Sequence, residues 1–181
     1  MLSISRTPIR SALQQLVYEQ LLSQDAPGHI YVSTITEKSV QDTSKVRTVL
    51  ECMAIDSAVF PLSEAKLQEL ERIDREQHEL IVTHPEDNLR FAELDKEFHC
   101  AIAECCDNAS LIEFIQSINN VMVRINVLSG TLPQNRQDAL IEHENIIAFL
   151  KNGQREFAKV ALSEHLKHVE ERMLSESKKE R

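Results

Sequence analysis

The 181 residues suffice for one sizeable core, or one domain with a small appendage. With 42% apolar residues, 3 Gly, 5 Pro and no Trp, the chain favours helix over strand. Its formal charge of −9 excludes a basic nucleic-acid coat, which needs clustered Lys and Arg, and leaves room only for a local DNA-binding patch.

No secretory leader pattern opens the chain, and no apolar run approaches the roughly 18 residues of a membrane span. The expectation is a soluble, cytoplasmic, mostly α-helical protein with no membrane partner.

In chain order, "SISRTPIRSALQQLVYEQLL" predicts a helix with Ser5 as N-cap, Pro8 in its first turn, and Ile9, Leu13, Leu16 and Val17 along one face. A Pro-Gly turn signal follows, then a β-branched and aromatic stretch from His29 to Ile35 that predicts a short strand or hairpin arm. From about Glu37 onward the pattern is helical. A helix over about 40–59 carries Val46, Val49, Leu50, Met53 and Ala54 and stops at Pro61. Ser63 caps the next, to about His84; others are predicted over about 87–106, 110–128, 137–151 and 154–176. "SGTLPQNR" reads as the one flexible connection of any length, Gly153 as a helix-ending residue, and "SESKKER" as a fraying tail. The organisation is thus a small module over 1–35 and an antiparallel helical bundle over 37–178.

Cys52, Cys100, Cys105 and Cys106 lack paired metal spacing and read as reduced and largely buried. A redox or metal-thiolate role for the vicinal Cys105 and Cys106 is the alternative.

The informative residues are polar ones on apolar faces. In "FAELDKEFHCAIAE", Asp95 and His99 share a helical stripe with Phe91 and Ile102 and point toward the bundle interior. Alone, this pair is served by an ordinary i,i+4 hydrogen bond. His143, in line with Leu140 and Ile147, and His165, in line with Ala158, Ala161, Leu162 and Val169, also face inward. His29, His78 and His84 do not, and His168 lies toward the polar side. Groups of this kind are costly to bury unpaired, so they should satisfy one another or share a cation. One carboxylate and three neutral imidazoles suit Zn²⁺ first, with Ni²⁺, Mn²⁺ and Fe²⁺ as alternatives. Arg47 and Arg124 also fall beside apolar stripes. For a lone arginine a snorkelling side chain is the favoured reading, whereas two inward arginines near a metal are what a small carboxylate would need.

"LSISRTPIRSALQQL" resembles the recognition-helix signature of GntR-type transcription regulators, and "GHIYVSTI" resembles that family's wing. "VRTVLECMAIDSAV", "LDKEFHCAIAE" and "EHENIIAFLKNGQREFAKVALSEHL" resemble, in order, the signatures of the FadR-type ligand-binding domain known as FCD, an all-helical bundle of six or seven helices. The resemblance implies metal ligation by Asp95, His99, His143 and His165. It further implies a small organic or sugar acid as effector, gripped by Arg47 with Arg124 as a second candidate. For DNA, it implies that Ser5, Arg6, Thr7, Arg10 and Gln14 contact a double-stranded operator from a homodimer. A winged helix-turn-helix normally carries a further helix ahead of this point, crossing the DNA backbone. The chain lacks it, so residues 1–35 are expected to form a partial, truncated module.

Three readings compete. The first is a transcription regulator whose helical domain senses a metal-bound carboxylate. The second is an effector-binding or structural helical module without DNA binding. The third, disfavoured because neither H-E-x-x-H nor the di-iron E-x-x-H pair occurs, is a metal-dependent enzyme using Glu142, Glu144 or Glu164 as base.

Overall fold

The computed structural model describes residues 5–18, 21–129 and 132–176, and they group into two compact units, Met1–Thr36 and Glu37–Arg181. The first unit is small. Helix α1 (Arg6–Tyr18) leads to a two-stranded antiparallel hairpin of β1 (Leu22–Gln24) and β2 (Ile30–Val32), with Ser23 opposite Tyr31. The predicted helix extended from Ser3 through Leu22; residues 3, 4, 19 and 20 of it lie outside the described residues, and the structure gives Leu22–Gln24 to a strand. Leu and Gln are helix formers by propensity, and only the pairing with β2 overrides that preference. The turn is held by Asp25, whose carboxylate accepts the His29 N–H at 2.8 Å, while Gly28 adopts φ 94°, open to a residue without Cβ. Strand β2 is shorter than the expected His29–Ile35, and α1 contains no buried residue.

Among the described residues, the second unit is a bundle of six helices: α2 (Glu37–Ser57), α3 (Glu64–Thr83), α4 (Asn88–Ala103), α5 (Ala109–Ser129), α6 (Leu132–Lys151) and α7 (Arg155–Glu176). Short polar links fix their ends. Ser63 accepts from the Lys66 N–H, Asp87 from Arg90 at 2.9 Å and Asn108 from Leu111 at 3.1 Å, each satisfying an amide that the helix leaves unbonded. Gly153, at φ 68°, closes α6, with the Gln154 N–H reaching back to the Phe149 carbonyl.

Helix α6 begins five residues before the expected 137, so most of the predicted "SGTLPQNR" connection is helical, with Pro133 in the first turn, where a missing N–H is tolerated. Residues 130 and 131, and 177–181 of the predicted fraying tail, lie outside the described residues.

The core runs along the bundle axis through Ile55, Leu70, Ile73, Phe91, Leu94, Phe98, Ile102, Leu140, Ile146 and Leu162, all at most 1% exposed. Each such side chain contributes about 1.5–3 kcal/mol of transfer free energy.

One face differs from expectation. On α2, Val46, Val49 and Met53, expected inside, are about half exposed or more. The buried stripe is Val40, Ser44, Arg47, Glu51, Ala54 and Ile55. Among the described residues, no helix is long and apolar enough to cross a membrane.

Candidate metal centre

Asp95 and His99 are one turn apart on α4, His143 sits mid-α6 and His165 mid-α7. Helical periodicity turns all four toward the bundle axis, where the histidines are fully buried and Asp95 is 6% exposed. One donor atom from each lies within 4.8 Å of the others.

His165 Nε2 is 3.3 Å from His99 Nε2 and 3.4 Å from His143 Nε2. Asp95 Oδ1 is 3.6 Å from His143 Nε2 and 3.9 Å from His99 Nε2. Two donors each about 2.0–2.1 Å from one tetrahedral ion would stand roughly 3.3–3.4 Å apart. The spacing therefore fits a shared divalent cation.

The outward ring nitrogens decide the protonation pattern. His99 Nδ1 donates to Glu51 Oε2 at 2.7 Å, His165 Nδ1 to Glu142 Oε2 at 2.7 Å, and His143 Nδ1 to Gln77 Oε1 at 3.1 Å. With every Nδ1 carrying its proton outward, three Nε2 lone pairs face one another at the centre. Lone pairs at 3.3–3.4 Å do not hydrogen-bond, and an extra proton on His143 or His165 is disfavoured. Burial pushes His143 well below the usual imidazole value, and lowers His165 despite the Glu142 hydrogen bond that opposes it. A shared divalent cation would resolve the conflict.

Behind the ligands, the polar partners are themselves held. Glu51 is fully buried, yet Arg47 Nε at 2.8 Å, His99 and Asn119 Nδ2 at 3.0 Å outweigh the burial and keep its carboxyl far below the carboxylate range. Burial also works against ionisation of Glu142, but His165, His168 Nδ1 at 2.8 Å and Arg172 bring it down to about 2. A carboxylate engaged by three donors with so low a value is a poor general base, which disfavours Glu142, one of the three candidate bases.

Glu51, Gln77 and Asn119 escaped the sequence reading. For Glu51 the signal was its i,i+4 spacing from Arg47; for Gln77 it was alignment with buried Leu70, Ile73 and Leu80.

Next to Asp95 is a cavity of about 30 Å³, bounded by α4, α5, α6 and α7, with Asn126, Asn135, Arg136 and Arg172 as its other polar lining residues. Arg47 and Arg124, the expected carboxylate grips, do not line it. Arg47 is 1% exposed and committed through Nε to Glu51, with Nη2 left without a partner, and Arg124 lies half-buried on α5.

The expected DNA contacts Ser5, Arg6, Thr7, Arg10 and Gln14 all lie exposed on or at the start of α1, and Gln14 Nε2 is 3.5 Å from Gln24 Oε1. The four cysteines are free thiols. Burial raises Cys52, Cys100 and Cys105 to about 11, which leaves these three protonated and unreactive at neutral pH.

Comparison with known proteins adds the family context. The FCD domain matches residues 42–168. The HTH-type transcriptional regulator YdhC of Bacillus subtilis (strain 168) is 28% identical over 173 residues, spanning 92% of this chain and 77% of that protein. The fold is similar to that of McbR/YncC of E. coli, at a TM-score of 0.82 and 22% identity over 96% of this chain and 87% of the other. It is also similar to the metal-free FCD domain of TM0439, at a TM-score of 0.63 and 20% identity over 81% and 99% respectively.

Proposed function

The chain belongs to the FCD domain family and is a transcriptional regulator of the GntR/FCD type; from that premise we propose that its helical unit is a metal-dependent sensor of a small organic acid. Asp95, His99, His143 and His165 hold a divalent cation, Zn²⁺ by donor type, with Ni²⁺, Mn²⁺ or Fe²⁺ also compatible. When bound, the cation supplies a positive charge to which a carboxylate can coordinate from the cavity beside Asp95. Glu51, Gln77 and Glu142 fix the three imidazole tautomers, and Arg47 acts through Glu51 to hold His99 in place.

The observation that carries this reading is the convergence of three buried Nε2 atoms whose Nδ1 partners are all spoken for. Ser5, Arg6, Thr7, Arg10 and Gln14 contact a double-stranded operator from a homodimer in the cytoplasm. Effector binding shifts the balance between two arrangements of the DNA-reading helices, which needs only about 1–3 kcal/mol of differential affinity.

Elemental analysis of the purified protein tests the centre. We expect about one divalent ion per chain, lost in the double variant His99→Ala, His165→Ala, together with a melting temperature that rises on metal addition in the parent alone. Equal metal content in parent and variant would overturn the assignment.

A further inference from the structure

The i,i+4 spacing of Asp95 and His99 on α4 recurs on α3, where Asp74 and His78 stand one turn apart. Helix α3 packs against α6, and there His78 meets Glu144, the residue next to His143. Adjacent positions on α6 thus serve two Asp–His pairs, one inside the bundle and one toward its surface. One donor atom each from Asp74, His78 and Glu144 lies within 4.8 Å of the others.

An ordinary ion pair does not account for this trio. Glu144 Oε1 is 2.9 Å from His78 Nε2, yet it lies out of line for an N–H···O bond, and Nε2 is shielded from solvent without a hydrogen-bond partner. Asp74 Oδ1 is likewise shielded and unpartnered, while its Oδ2 lies 3.8 Å from the same nitrogen. Burial raises the Asp74 carboxyl; His78 and Arg75 oppose the rise, Glu144 adds to it, and the balance leaves the lost hydration uncompensated. Two orphaned atoms of metal-ligand type beside a further carboxylate are costly unless they share a cation.

The spacing also indicates the coordination. Two donors about 2.0–2.1 Å from an ion stand about 2.9 Å apart at a right angle, against roughly 3.3–3.4 Å at the tetrahedral angle. The Nε2–Oε1 distance is that of neighbouring ligands on a six-coordinate ion, unlike the spacing in the central cluster. The His78 and Glu144 side chains are 35% and 54% exposed, which leaves the remaining positions to water and lets an ion exchange with solvent. A nitrogen donor among the oxygens favours a transition ion over Mg²⁺ or Ca²⁺.

We propose that Asp74, His78 and Glu144 form a second divalent-cation site toward the bundle surface, taking an exchangeable, six-coordinate transition-metal ion completed by water. It requires nothing from the central cluster. Being open, it is filled on titration rather than carried through purification, and so stands apart from the one tightly held ion expected at the centre.

The test is Mn²⁺ titration of the full 181-residue chain preloaded with Zn²⁺, free Mn²⁺ being counted by its electron paramagnetic resonance signal. Mn²⁺ lies below Zn²⁺ in affinity for such donors and does not displace it. About one bound Mn²⁺ per chain is expected, with spin-echo modulation from one directly bound imidazole nitrogen. His78→Gln removes that nitrogen and leaves both carboxylates, so binding should weaken tenfold or more and the modulation vanish. Asp74→Asn should weaken binding at least as far. Glu79→Gln, which strips an exposed charge from the same helix, should stay within about threefold of the parent. The His99→Ala, His165→Ala protein should keep both the Mn²⁺ count and the modulation, whether or not the central cluster binds metal. Fewer than about 0.3 Mn²⁺ per chain at millimolar Mn²⁺ overturns the proposal. So does modulation that survives in His78→Gln, an equal loss in Glu79→Gln, or Mn²⁺ binding that disappears with His99 and His165. If Asp74→Asn fails to fold, His78→Gln, at a partly exposed position, decides.

Discussion

Glu51 occupies a position where a single proton matters. Fully buried, it accepts from Arg47, Asn119 and His99 at once, so one residue orients a metal ligand and offsets a buried guanidinium. Glu51→Gln keeps the shape but strips the charge, which strands Arg47 in the interior. The expected cost is about 3–5 kcal/mol in denaturant unfolding, with a fall of about 10–100-fold in metal affinity because the partner of His99 is weakened. A loss below 1 kcal/mol would show that Arg47 finds compensation elsewhere. The histidines give the pH dependence of the chelator-treated protein. His143 and His165 have lowered values when folded, whereas in the unfolded chain they titrate near 6.5. Above that pH both states are neutral there. Below it the unfolded chain takes up protons that the folded one refuses, so stability should fall with acidification by up to about 1.4 kcal/mol per pH unit for each histidine. Glu142, depressed to about 2, adds a second loss as pH drops from its unfolded value near 4.3 toward 2. Thermal melts between pH 8 and 3 should show stability declining from about 6.5 downward. A flat profile from pH 7 to 5 would contradict the buried neutral imidazoles.

At the level of elements, sequence periodicity located most helices because their ends carry local chemistry: Ser63, Asp87 and Asn108 at starts, Gly153 at a stop. The same periodicity brought out Asp95, His99, His143 and His165, since each sits among apolar neighbours on its own helix. What stayed hidden depends on partners far away in the chain. Glu51 meets His99 across 48 residues, Gln77 meets His143 across 66, and Asn119 meets Glu51 across 68. Helix α2 misled for the same reason. Its valines suggested the inward face, yet Arg47 and Glu51 take it because they are satisfied by one another and by α4 and α5. Strand β1 was missed because only β2 makes Leu22–Gln24 extended. Helix α4 carries two of the four candidate ligands, so its N-cap deserves a direct measurement. Asp87→Ala removes the acceptor for the Arg90 N–H and should cost about 1 kcal/mol in urea unfolding. Asp87→Asn, which keeps an acceptor at that position, should lose a few tenths at most. Equal losses in the two variants would place the effect in charge rather than capping.

Across the whole molecule, charge divides the labour. Arg6 and Arg10 are offset by Glu19 and Asp25 within residues 1–36, so the entire formal charge of −9 resides in residues 37–181. An acidic helical unit is repelled by phosphate overall, so in the proposed reading α1 carries the DNA contact. That helix holds two arginines and no acidic residue between Arg6 and Tyr18. Each phosphate neutralised adds about −0.9 to the slope of log K against log salt, so a dimer using two arginines per chain should show a slope of about −4. Fluorescence anisotropy with a palindromic operator at several salt concentrations measures it. The fragment 37–181 should bind no DNA in that assay while retaining the metal content of the full chain, because every candidate ligand and every hydrogen-bond partner named for it lies within the helical unit. A slope steeper than about −8, or residual operator binding by the fragment, would mean that cations of the helical unit reach the phosphates after all and that sensing and DNA contact are not divided between the two units.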